Sequence, residues 1–289
     1  MKTILLLLAL PFYASTAFGQ HSTSAPKDSS KPFILGRIES IQSTTLSEKR
    51  ILNIYLPEGY KQDDTTQYPV IYLLDGSADE DFIHVVGLLQ FDSFDWVNRV
   101  PKSIVVGIAN IDRMRDFTYP TGIEADKKRY PHSGGSAKFI AFIEKELQPY
   151  IESKYKTNST KTLIGESLGG LLATEIVLTK PLLFNKYIII SPSLWWDDAS
   201  LLKKQSDIFL DSFKTKTDIY IGTGKEGLGP GEKPHVMEVD ANLLSEEIKN
   251  TKSKSVHVFL DYLPQENHAT ISHMAIYNAF LKLYTTTAN

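Results

Sequence analysis

Short uninterrupted apolar runs alternate along this chain with segments whose apolar residues recur every three to four positions. Val70–Leu74, Ser103–Ile108 and Lys186–Ile190 are runs of the first kind, and Ile219–Ile221 and Val256–Leu260 continue the series. Runs that are apolar at every position suit strands buried on both faces, as in a parallel sheet covered on each side. Ahead of them, Ile34–Ile41 alternates loosely and Arg50–Leu56 alternates well, stopping at Pro57-Glu58-Gly59; together they predict an antiparallel opening pair. The clearest helix is Ala137–Tyr155, where Phe139, Phe142, Ile143, Leu147, Tyr150 and Ile151 share one stripe. Pro149 predicts a late kink in it. A last helix is expected over Ile271–Tyr284. Strands and amphipathic helices in alternation predict an α/β fold in three layers, a mostly parallel central sheet with helices on both faces. No internal repeat and no second domain is visible.

The N-terminus breaks this pattern. Lys2, the apolar stretch Ile4–Leu10 and the small residues of Ala17-Phe18-Gly19 predict a cleavable signal peptide over residues 1–19. The stretch is too short to span a bilayer, and no other segment is long and apolar enough to do so. Residues 20–32, rich in Ser, Pro and Lys, are expected to form a disordered tether ahead of one domain over 33–289. Export to the periplasm or the medium is the expected localisation.

Composition narrows the chemistry. The 289 residues carry 31 basic and 34 acidic side chains, a net charge of −3, which gives no footing for a nucleic-acid backbone. There is no cysteine, so disulfides, a thiol nucleophile and thiolate metal sites are excluded. No histidine or carboxylate spacing suggests a metal, and no glycine loop suggests a phosphate cofactor. Gly227–Gly231 contains Pro230 and leads into no strand–helix unit, so it is read as a loop.

One motif carries chemistry. Gly165-Glu166-Ser167-Leu168-Gly169 follows the apolar Thr162-Leu163-Ile164 and precedes a helix-like stretch through Val177. Strand, sharp turn and helix with serine at the apex predict a nucleophile elbow. Small neighbours are needed there because a strained apex leaves no room for side chains. The N–H of Leu168 would lie beside the hydroxyl as an oxyanion donor, and the N–H of Ser77, after Asp75-Gly76, is the candidate second donor.

A serine hydroxyl needs a base, and the base needs an acid to orient it. In the α/β-hydrolase plan both follow the serine, acid first, each in a loop after a later strand. Of seven histidines, His21 lies in the tether, and His84 and His132 precede Ser167. His235 sits in the Gly/Pro-rich loop, His257 in a strand and His273 in the final helix. His268 alone lies between the last strand and the last helix; its bland alternative is a helix-capping role. Glu226 is the first carboxylate after the Ile219–Ile221 strand, with Asp240 as the alternative acid.

The chain from about Ile34 to Leu281 resembles the "Putative esterase" branch of the α/β hydrolases. That branch includes siderophore (enterobactin-type) esterases, S-formylglutathione hydrolase, feruloyl and acetylxylan esterases, and mycolyl transferases. The likeness rests on Tyr55–Tyr60, Tyr68–Gly76, the Arg-bearing loop Asn110–Asp116, the elbow, Ser191–Trp196 and Glu266-Asn267-His268. It implies a serine esterase with no cofactor, acting on a small-molecule ester. It also places the triad acid at Glu226.

Arg113 and Arg115 could face an anionic or catecholate substrate, or could simply pair with Asp112 or Asp116. Trp195 and Trp196 follow a strand's C-terminal end, where ligands bind in open α/β sheets; one is expected in the pocket and one in the core. Siderophore-type esters are the favoured substrates. Acyl transfer to an alcohol, a carbohydrate-esterase role and a catalytically silent binding protein are the alternatives.

Overall fold

The computed structural model describes residues 30–284. The signal peptide expected over 1–19 and residues 20–29 of the expected tether lie outside the described residues. Residues 30–34 carry no helix or strand.

From Leu35 onward the chain builds one eight-stranded sheet. Its strands are β1 (Arg37–Ser43), β2 (Glu48–Tyr55), β3 (Tyr68–Leu73), β4 (Ile104–Ile108), β5 (Thr157–Glu166), β6 (Lys186–Ile190), β7 (Thr217–Gly224) and β8 (Val256–Leu263). They lie in the order β1-β2-β4-β3-β5-β6-β7-β8. β1–β2 and β2–β4 are antiparallel, and every other pair is parallel. The opening pair thus forms as expected, although β1 begins three residues later than its alternation suggested. The helices are α1 (Phe82–Asp92), α2 (Arg113–Phe117), α3 (Glu124–Arg129), α4 (Ser136–Phe142), α5 (Gln148–Lys154), α6 (Leu168–Thr179), α7 (Met237–Lys249) and α8 (Ile271–Tyr284).

The sheet separates two apolar cores, which is why its central strands are apolar throughout. Val70 and Tyr72 of β3 point into a core shared with Phe139, Leu171, Ile176 and Leu244, on α4, α6 and α7. Ile71 and Leu73 point the other way, toward Val85 and Leu89 of α1 and Ala275 and Phe280 of α8. This is the three-layer α/β-hydrolase arrangement.

The long helix predicted over 137–155 is instead α4, a π-helical turn over Ile143–Leu147, and α5. Pro149 falls in the first turn of α5, and the irregularity lies just ahead of it. A proline cannot donate its N–H, and its ring crowds the carbonyl four residues back; the wider turn relieves both.

Candidate active site

All the candidate groups sit at the carboxyl edge of the sheet, because each lies just beyond the end of a parallel strand. Ser167 follows β5 directly and is the N-cap of α6, with φ 57° and ψ −116°. That left-handed backbone is costly for a serine and persists only where its surroundings hold it. Here the Ser167 N–H donates to Ile190 O (2.9 Å), and its carbonyl accepts from Leu171 N (2.9 Å) and Ser193 N (3.0 Å). Gly165 is required by the turn: a Cβ there would lie 2.4 Å from the carbonyl oxygen of Gly169.

The three side chains of the expected triad meet. His268 Nε2 lies 3.0 Å from Ser167 Oγ, and His268 Nδ1 lies 2.6 Å from Glu226 Oε2. The Glu226 side chain is 1% exposed and that of His268 is 44% exposed. The other carboxylate oxygen of Glu226 accepts from the Ser191 hydroxyl and from Gly224 N. Burial alone would raise the Glu226 carboxyl, but the hydrogen bonds from His268, Ser191 and Gly224 outweigh it and hold it below the usual range. The same bond from Glu226 raises the His268 imidazole above its ordinary value, against the opposing effects of burial and Arg113. Asp240, the alternative acid, is committed elsewhere, 3.1 Å from His235 Nδ1.

Two serines escaped the sequence reading. Ser191 and Ser193 flank Pro192 just past β6, the strand beside β5. Ser191 Oγ bonds the acid, and Ser193 Oγ lies 3.3 Å from the Ser167 hydroxyl oxygen. One short segment therefore touches the triad at both ends. The usable signal was position: the loop after the strand next to an elbow has to face it. Glu166 was also passed over. Burial raises its carboxyl, the charges of Asp81 and Asp75 add to that, and nearby His268 works against it.

The oxyanion candidates differ. Leu168 N–H opens α6, where first-turn amides have no intrahelical partner. Ser77 N–H is engaged: it donates to Glu80 Oε2 at 3.3 Å, while Glu80 N donates to Ser77 O at 3.0 Å. This reciprocal pair closes a turn ahead of α1.

The residues expected to line a substrate pocket are placed differently. Trp196 is fully buried, and its Nε1 donates to Tyr119 O at 2.9 Å. Trp195 is 6% exposed and packs between Trp196 and Tyr130. In place of the expected division between pocket and core, both indoles are buried in the core that holds Leu171 and Leu194. Arg115 is bound to Asp116 and Glu48. Arg113 donates from Nε (2.6 Å) and Nη2 (3.0 Å) to the two carboxylate oxygens of Asp75, not to Asp112 or Asp116. Among the described residues, no group of three or more His, Cys, Asp or Glu side chains is arranged to hold a metal ion. No helix among them is long and apolar enough to cross a membrane.

Comparison with known proteins agrees with this architecture. Residues 43–257 match the family described as Putative esterase. An IroE-like serine hydrolase from Shewanella oneidensis superposes with a TM-score of 0.74 at 34% identity, over 86% of this chain and 80% of its own. The ferri-bacillibactin esterase BesA of Bacillus subtilis is 32% identical over 188 residues, 61% of this chain; the match spans 65% of that protein's length. A siderophore enterobactin esterase of Emericella nidulans is 37% identical over 86 residues, 29% of this chain and 28% of its own.

Proposed function

We propose that this chain, which belongs to the Putative esterase family, is a serine carboxylic-ester hydrolase working through an acyl-enzyme on Ser167. The observation that carries the reading is the continuous path from Glu226 through His268 to Ser167 Oγ, at 2.6 Å and 3.0 Å. Ser167 Oγ attacks the ester carbonyl carbon as His268 Nε2 takes its proton. Negative charge develops on the carbonyl oxygen, and the amides of Leu168 and Ser77 receive it once the Glu80 carboxylate has yielded its place. Collapse of the tetrahedral adduct expels the alcohol, which takes the proton back from His268. A water molecule then repeats the sequence on the acyl-enzyme and releases the acid. Glu226 keeps the proton-bearing Nδ1 in place throughout. The solvent-exposed imidazole favours water over an alcohol as the acceptor, and so hydrolysis over acyl transfer.

For substrate, we favour siderophore-type esters. The support is the naming of two relatives for such esters and a His268 side chain that is open to solvent. Arg113 and Arg115 are both paired with carboxylates, so neither is counted as support for an anionic substrate. The signal-like N-terminus supports export as part of the same proposal; N-terminal sequencing of the mature protein tests it.

The deciding experiment is labelling with a fluorophosphonate, followed by hydrolysis of p-nitrophenyl esters, a feruloyl ester and a catecholate trilactone with and without iron. Labelling should occur in the native protein and vanish in Ser167→Ala. Equal labelling of both would end the proposal.

A further inference from the structure

Arg113 stands where three segments meet. It opens α2, and its Nε and Nη2 grip both oxygens of Asp75. Nη2 also donates to Glu166 O at 3.1 Å, the carbonyl immediately before the nucleophile. The face of the guanidinium lies over the Phe117 ring, 5.5 Å from its centroid.

Asp75 is the unusual partner. It has φ 51°, a left-handed backbone that few residues other than Gly, Asn and Asp adopt. Its Oδ1 also accepts from Asn110 Nδ2 at 2.7 Å. Its Oδ2 presses against the start of α6: a Cβ at Gly169 would come within 3.3 Å of it. Asp75 begins the turn that presents the Ser77 amide. Glu166 and Gly169 bracket the Leu168 amide. The ion pair therefore joins the two pieces of backbone that carry the two oxyanion donors, and nothing in the local sequence of either piece sets their separation.

We propose that Arg113 is a positioning residue, which with Asp75 sets the spacing of the Ser77 and Leu168 amides and so the fit of the oxyanion. This rests on the reading of Ser167 as nucleophile. It departs from a substrate-binding role for Arg113, because its Nε and Nη2 are already engaged by protein acceptors. A two-point grip of this kind is beyond a lysine, which offers a single ammonium centre.

The test uses Arg113→Lys, Arg113→Ala and Asp75→Asn, each checked for native circular dichroism and cooperative unfolding. The substrate is uncharged p-nitrophenyl butyrate. The probe is an alkyl trifluoromethyl ketone, whose adduct with the serine carries an oxyanion. The expected result is a kcat lower by roughly 10- to 100-fold with KM within about twofold. Affinity for the ketone should fall in parallel with kcat/KM, and lysine should restore only part of the loss relative to alanine. Native kcat on the uncharged ester in folded Arg113→Ala overturns the proposal. So does a lower kcat with undiminished ketone affinity. If Arg113→Ala does not fold, Arg113→Lys and Asp75→Asn decide by the same criteria. Failure of the native protein to label at Ser167 is a separate result and ends the parent reading instead.

Discussion

His268 and Glu226 meet across 2.6 Å, yet one side chain is nearly half exposed and the other is withdrawn from water. The buried carboxylate raises the basicity of a ring that remains open to solvent. Hydrolysis requires the ring neutral, so the acid limb of kcat/KM should lie above the ordinary imidazole value near pH ~6.5. Glu226→Gln removes the charge that stabilises the imidazolium. Its limb should move to lower pH while the plateau falls by about 10²- to 10⁴-fold. A pH–rate profile of both proteins checks the sign; an unmoved limb would separate Glu226 from the base.

Ser191 supplies a hydroxyl to the Glu226 oxygen that His268 does not use. Ser191→Ala leaves that oxygen with the Gly224 amide as its main donor. A hydrogen bond to a charged group is worth about 1.5–3 kcal/mol, so kcat should fall by roughly 10- to 100-fold with KM little changed. Steady-state kinetics on a short-chain ester measure this directly.

Glu80 occupies the amide that the mechanism assigns to the oxyanion. The bond is 3.3 Å long and exposed, so displacing it costs little. Glu80→Ala should leave kcat unchanged or raise it by about two- to threefold. A large fall in kcat, with the fold intact, would mean that Glu80 supports the site, through Ser77 or Asn110, rather than merely occupying the amide.

Trp196 is fully buried and bonded to the Tyr119 carbonyl. Trp196→Ala should cost about 3–5 kcal/mol of stability through the cavity it leaves. Denaturant unfolding reads that loss. The folded fraction should keep the native KM, which a substrate-lining indole would not permit.

Local pattern was enough for much of this molecule. The runs at 70–74, 103–108 and 186–190 fit strands covered on both faces, being too short for a buried helix. The glycines around Ser167 announced the elbow because their spacing answers a steric demand within five residues. Chain order then led to His268, because parallel strands deliver successive loops to one edge.

Other features could not be read this way. Glu226 and Asp240 are both acids past the same strand, and only the fold sends one to His268 and the other to His235. Arg113, 38 positions from Asp75, looks in sequence like a free charge in a loop. The tryptophans follow a strand end, yet both are buried. The amino-acid order by itself determined most of the elements and which hydroxyl stands at the turn between β5 and α6, because those depend on neighbours in the chain. The partner of each charge and the direction of each indole depend on neighbours in space, and only the tertiary structure decided them.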